Sequence, residues 1–543
     1  MRGGRVVAVS AASALVLAVL LLVLPATGSD LSAQVARAGF FAAHGPALVD
    51  LRWYGGVHPW GYSLVSPPLM ALLGVRPTGA LTLLASATAF AALLVRLRVP
   101  RPLLGSLVGV VTIAGNLVSG RVTYALGVTF GLAALLALTL PADVTGRANR
   151  MRAATVAVAA LLASAASPVA GLFVGLAGVA LLLTRRYADG LLLAVPAAGP
   201  LAVTGLLFGE GGWMNISRAD TVHAVVTSLL VAALVAYRPV RVGALLSAAG
   251  VLAAALLPTP VGLNATRLVV MFALPVLAAA ASLPRGLTGR LSPAADRRDA
   301  FAGREAVGRG LPRAAGAVGL AALLAAVCWW QPPVVTADLR SADDPTADPA
   351  YFAPLRAELA RRGLTGRVEV PPTRNYWEAA RLGEVPLARG WLRQADIDRN
   401  PLFFTTVPGA AGTGVPLTAD SYRAWLADNA VQYVAVPDAE LSWVGRPEAE
   451  LVAAGQPYLT EVWSDRHWRL YAVADPTPLV GAPGELVRQD GASVTFRASV
   501  AGPVPVRVRH DRWLSVTDGA TLSPDGDWLT VTVPRPGTYT LTG

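Results

Sequence analysis

Apolar runs close to 20 residues long recur throughout the first 331 residues, and they constrain this chain more than any other feature. A helix needs about 20 apolar residues to cross the roughly 30 Å hydrocarbon core of a bilayer. Eleven such runs can be delimited, near 5 to 27, 77 to 95, 103 to 119, 122 to 141, 153 to 167, 169 to 184, 191 to 208, 221 to 237, 242 to 257, 264 to 284 and 314 to 331. Ser167-Pro168 with Gly171 divides the fifth from the sixth, because proline ends the helix before it. With 54% hydrophobic and 15% charged residues over 543 positions, a soluble protein is excluded. The expected fold is an α-helical polytopic membrane domain over 1–331 with an outer first loop at 28–62. A linker at 332–350, an extracytoplasmic α/β domain at 351–480 and a small, β-rich C-terminal sandwich at 481–543 complete it.

The net charge of +11 divides unevenly, +16 up to residue 331 and −5 beyond. All 45 basic residues are arginine, as in a GC-rich bacterial coding bias. Basic loops of a membrane protein face the cytoplasm. With the N-terminus inside, the arginines at 96, 98, 147, 150, 152, 185, 186, 238 and 241, and seven more between 285 and 313, all fall on inner turns. The basic excess therefore reports orientation in the plasma membrane, with the C-terminal domain outside, and not a nucleic-acid partner. The first run reads as a retained span and not as a cleaved signal peptide. Cys328 is the single cysteine, which removes disulfides and thiolate metal clusters.

Few carboxylates in this half could do chemistry. Asp143, Asp189, Asp296, Asp299 and Glu305 fall on the inner side; Asp30, Asp50, Glu210 and Asp220 fall outside. Asp30 stands just past the first span, at the head of an interfacial helix running to about His44, where it is either a helix cap or a reactive group. From Asp50 to Tyr62 the loop concentrates ionisable and aromatic residues, including Arg52, Tyr54, His58 and Tyr62, before Pro67-Pro68 interrupt a short apolar run. Irregular backbone at membrane depth is tolerated where it lines a cavity, so these four are candidates for binding substrate or phosphate. An interfacial anchor of Trp and Tyr is the alternative. Arg121, in the turn between the third and fourth spans, and Arg267, at the start of the tenth, stand on the outer side against the charge bias. Both suit a lipid phosphate, either as a bound head group or by ordinary snorkelling.

Beyond the linker, helix-like and strand-like stretches alternate, with strands at 366–370 and 431–436 and a hairpin around Asp465. The mixed charged and aromatic stretch from Arg374 to Asn400 supplies Trp377, Trp391, Arg393 and Asp396 as candidates for a surface that meets an acceptor. No His/Cys metal spacing, nucleophile elbow, phosphate-binding loop or dinucleotide fingerprint is present.

This plan of a first span, an outer loop opening with Asp30, a Pro-Pro-Leu run into the membrane at 67–69, many further spans and an outer C-terminal domain resembles the glycosyltransferase C superfamily. Within it the chain is similar to the bacterial YfhO-type membrane proteins, some of which carry a pterin-synthase-related label. The likeness extends to Asn429-Ala-Val-Gln-Tyr-Val-Ala-Val436, Trp468-Arg-Leu-Tyr471 and His510-Asp-Arg-Trp513. The resemblance implies transfer of a sugar from a polyprenyl-phosphate donor to an envelope glycan or glycolipid acceptor on the outer face. It implies Asp30 as general base with inversion, Asp50 in reserve, and Arg52, Arg121 and Arg267 as phosphate partners. The paired first-loop acidic residues of several superfamily members are missing, which argues against a divalent metal, and no cofactor is expected. A transporter or flippase and a non-catalytic envelope scaffold are the competing readings.

Overall fold

The structure is a computed structural model that describes residues 2–141, 146–282, 311–407 and 412–543. Asp143, Asp296, Asp299, Glu305 and most of the arginine-rich stretch at 285–313 lie outside the described residues.

Each apolar run falls on a helix. In chain order these are α1 (Arg2–Val23), α2 (Leu31–His44), α3 (Ser66–Leu73), α4 (Val75–Arg96), α5 (Pro102–Val118), α6 (Val122–Leu138), α7 (Arg147–Ala166), α8 (Pro168–Leu183), α9 (Tyr187–Leu207), α10 (Arg218–Leu234), α11 (Arg238–Leu256), α12 (Arg267–Ala280) and α13 (Leu311–Trp330). Helix α2 belongs to the first loop, and the short α3 follows that loop directly. Among the described residues, five helical segments are long and apolar enough to cross a membrane: Gly3–Val23, Val75–Arg96, Tyr187–Leu207, Arg238–Leu256 and Gly262–Ala280. Four shorter apolar helices accompany them. The turn between α7 and α8 forms because Ser167 accepts a bond from the Ala170 amide while Pro168 opens the next helix. Leu15, Val16, Leu81, Leu206 and Leu256 point outward and exposed, an apolar coat that only lipid would cover. These are the helices of a membrane protein.

The two ends of the bundle differ. At one, arginines close the turns: Arg101 donates to the Ala278 and Ala281 carbonyls, Arg152 and Arg186 pair with Asp189, and Arg241 donates to the Ala232 carbonyl. At the other end sit the first loop, the α5–α6 turn and everything after α13. Glycine sets the closest contact there. Gly28 and Gly120 both hold positive φ, and a Cβ on Gly120 would lie 2.4 Å from the Leu31 amide nitrogen. The turn before α2 is thus pressed backbone to backbone on the α5–α6 turn, joined by a bond from the Asp30 amide to the Ser119 carbonyl.

Strands β1 (Arg367–Glu369), β2 (Val431–Pro437), β3 (Leu459–Ser464) and β4 (Trp468–Val473) form a sheet in the order β1-β2-β4-β3. Only the β1–β2 pair is parallel. The sandwich has one sheet of β5 (Gly484–Gln489), β6 (Ser493–Ala498), β11 (Gly537–Thr542) and β8 (Ser515–Val516), and a second of β7 (Gly502–Arg509), β10 (Trp528–Val533) and β9 (Thr521–Asp525). Between them Phe496, Val504, Val531 and Leu541 are fully buried.

The first loop is not a free outer loop. Val49 and Leu51 complete the sandwich core, and Leu31, Trp53 and Tyr54 share a core with Val368, Leu387 and Trp468. Residues 332–350 likewise differ from the expected linker. The carboxylate of Asp338 accepts from the Ser29 amide and the Ser119 hydroxyl, and Asp344 accepts from Asn375. Acidic side chains there satisfy backbone and side-chain donors of neighbouring elements, which a solvated tether would not do.

Candidate functional site

Asp30 occupies the cap position of α2 but makes no capping bond. Its carboxylate instead lies 3.2 Å from Arg267 and 3.4 Å from Arg121. Three sequence-distant pieces thereby meet: the end of the α1–α2 turn, the α5–α6 turn and the first residue of α12. Gln34 braces the turn, donating to the Asp30 carbonyl and accepting from Thr123. Arg267 also lies over the Tyr124 ring at 5.5 Å, and the buried Tyr124 hydroxyl has no hydrogen-bond partner. Beside the arginines runs a cleft lined by Asn116, Arg121, Arg267, Val270, Met271 and Pro333. Its volume of about 20 Å³ holds about one water, so a larger ligand has to part its walls. Two guanidiniums, one carboxylate and apolar walls at the end of a helical bundle suit a lipid-linked phosphate next to a group that takes a proton.

Tyr62 joins this cluster. Its ring carries the Arg37 guanidinium at 3.9 Å and meets Trp391 edge-on at 6.1 Å. Trp391 donates its indole N–H to the Ser29 carbonyl at 3.0 Å, so this acceptor-surface candidate does border the Asp30 turn. Arg37 was not foreseen. A lone arginine on an otherwise apolar helix reads as snorkelling, and its one distinguishing mark was being the only charged residue between Leu31 and Phe41.

Other candidates are committed elsewhere. Asp50 and Arg52 bind each other through two bonds of 2.7 and 2.9 Å, both side chains almost wholly buried. In an irregular loop two residues so close in sequence can turn to face each other, and this pairing leaves neither free for substrate. Tyr54 is buried and donates to the Gly390 carbonyl at 2.6 Å; burial pushes its hydroxyl well above its usual range and keeps it neutral. His58 bridges Asp511 at 2.6 Å and Glu210 at 3.3 Å. Burial alone would lower its pKa, but the two carboxylates prevail and raise it to about 9. Arg399 pairs with the same Glu210 at 2.6 Å.

Trp377 and Asp396 present no surface for an acceptor. Trp377 is a core residue, and Asp396 is locked to Arg389 at 2.8 Å. Arg389 also holds Glu448 at 3.0 Å and lies 4.0 Å from the Phe403 ring centre. Burial and the adjacent Glu448 drive the Glu369 carboxyl far upward inside this network. Arg393 stacks over Trp443 at 5.6 Å, half-buried. Among the described residues no group of three or more His, Cys, Asp or Glu is arranged to hold a metal ion.

No protein family matches the chain, and no curated protein matches it. Distant likenesses exist among solved structures. One is arabinofuranosyltransferase AftD from Mycobacteria, 16% identical over 99% of this chain and 60% of that one, with a TM-score of 0.47. The chain thus spans about 60% of AftD's length. Another is ArnT from Cupriavidus metallidurans bound to undecaprenyl phosphate, 14% identical over 87% of this chain and 98% of that one, with a TM-score of 0.43.

Proposed function

We propose that this protein is an integral membrane glycosyltransferase of the glycosyltransferase C kind, moving a sugar from a polyprenyl-phosphate donor to an envelope glycan or glycolipid acceptor on the outer face of the plasma membrane. The observation that carries this reading is the meeting of Asp30, Arg121 and Arg267 beside an apolar-walled cleft. The donor phosphate competes with Asp30 for the two arginines and frees its carboxylate. The acceptor hydroxyl then attacks the anomeric carbon as its proton passes to Asp30. The bond from that carbon to the phosphate oxygen breaks on the opposite face, giving inversion. The polyprenyl phosphate leaves with the electron pair, and the arginines stabilise its growing charge. No step requires a metal, because the guanidiniums supply the positive charge that a monophosphate leaving group needs.

Native mass spectrometry of the purified chain with undecaprenyl phosphate tests the phosphate half of this account. Wild type retains the lipid, the double variant Arg121→Gln/Arg267→Gln loses at least tenfold in affinity, and Asp30→Asn binds as well as wild type or better. Equal binding by the double variant removes the lipid-phosphate role and favours a transporter or scaffold.

A further inference from the structure

Buried guanidiniums in the outer part of this protein have acceptors. Arg52 has Asp50, Arg389 has Asp396 and Glu448, Arg267 has Asp30, and Arg367 has the Asn429 and Arg507 carbonyls. Arg37 differs. It is only 5% exposed, its Nη1 has no hydrogen-bond partner, and it forms no ion pair or hydrogen bond with any described residue. Aromatic faces are its contacts: Tyr62 at 3.9 Å and Trp391 at 5.3 Å from the ring centres. Burial draws its pKa down, while Tyr62, Asp30, Asp50 and Glu210 act on it through space in the opposite direction. An uncompensated buried charge is costly, and proteins ordinarily pair such a group or give it a ligand. Arg37 also lines a closed seam between α2 and the loop ahead of α3, walled by Phe40, Phe41, Trp60 and Pro67, with no space open to a water molecule, so an entering anion has to part these walls.

We infer that Arg37, lodged against Tyr62 and Trp391, is a second oxyanion subsite, distinct from the Arg121–Arg267 pair, and receives a phosphate or carboxylate carried by the acceptor or by the transferred sugar. The aromatic contacts hold the guanidinium through its π-face attraction and leave its N–H groups unspent, and a guanidinium with free N–H groups can grip a planar or tetrahedral oxyanion through two bonds. The assignment of that anion to acceptor or sugar rests on the transferase reading; the existence of the subsite does not. Binding therefore tests it without any turnover.

The test is calorimetric titration of the full chain in nanodiscs with inorganic phosphate, paired with thermal unfolding. Wild type takes up two phosphates. Arg37→Met takes up one, with affinity at the missing site lowered at least tenfold, and its unliganded form melts no earlier than wild type because a lone buried charge has gone. Arg37→Lys keeps the charge but not the flat two-pronged donor; it is expected to fold and to bind the second phosphate at least tenfold more weakly, which preserves the test if Arg37→Met does not fold. Glucuronate separates the ligand's chemistry: competition with phosphate at this site assigns a carboxylated sugar, and its failure assigns a phosphorylated group. A single phosphate in wild type that both Arg37 variants retain, or two in both Arg37 variants, overturns the subsite; a single phosphate in wild type that the Arg37 variants lose upholds it and removes phosphate binding at Arg121–Arg267 instead. An early-melting Arg37→Met that still binds two phosphates makes Arg37 a packing residue.

Discussion

A carboxylate at the start of a helix ordinarily turns back onto the helix's free amides, yet Asp30 faces two arginines from other elements. The choice follows from supply. Cations held at the end of a bundle against an apolar wall attract a carboxylate more strongly than exposed N–H groups do. Asp50 illustrates the opposite outcome, because its partner Arg52 is local and both are buried. Asp50→Asn strands the Arg52 charge, so it is expected to cost stability, about 3 kcal/mol, and leave the Asp30 site standing; chemical denaturation alongside lipid binding checks this. Asp30, Arg121 and Arg267 could be picked out from sequence because topology left few outer charges near the bilayer. Arg37 could not, since what sets it apart is the absence of a partner, a property of three dimensions.

Helices were the most legible elements, because apolar runs near 20 residues answer to bilayer thickness and leave little ambiguity about type. Their turns were legible where proline, serine and glycine meet, as at Ser167-Pro168. Composition misled at 332–350. A stretch rich in Asp, Pro and Ala resembles a tether, but Asp338 accepts from Ser29 and Ser119 at the membrane end, Asp344 accepts from Asn375, and Asp348 caps the helix that follows it. Burial of Trp377 and Asp396 was hidden for a related reason. Their segment lacks regular periodicity, so charge and aromaticity suggested a surface, whereas Arg389 draws the charges inward.

Over the whole molecule, His58 ties three regions that are far apart in the chain: the first loop, the segment after α9 through Glu210, and the sandwich through Asp511. Stacking of Phe208 on Trp513 at 5.6 Å reinforces the same seam. The imidazolium favours the closed seam. Its pKa rises from 6.5 in the unfolded chain to about 9 in the fold, so its contribution is complete below about pH 6.5 and is lost as pH climbs through about 9. Limited proteolysis across pH 7 to 10 is expected to release the sandwich progressively above pH 9 in wild type, and His58→Gln is expected to show release already at pH 7 with little further change. The Asp30 turn is joined to the α5–α6 turn by the bond from its amide to the Ser119 carbonyl and by the close packing of Gly28 and Gly120, and the central claim depends on that arrangement. Its most direct test is the envelope glycan profile, by mass spectrometry, of a deletion strain carrying wild type or Asp30→Asn at matched membrane abundance. A defined sugar missing only with Asp30→Asn is the predicted result, and an identical glycan profile in the two strains would contradict the account.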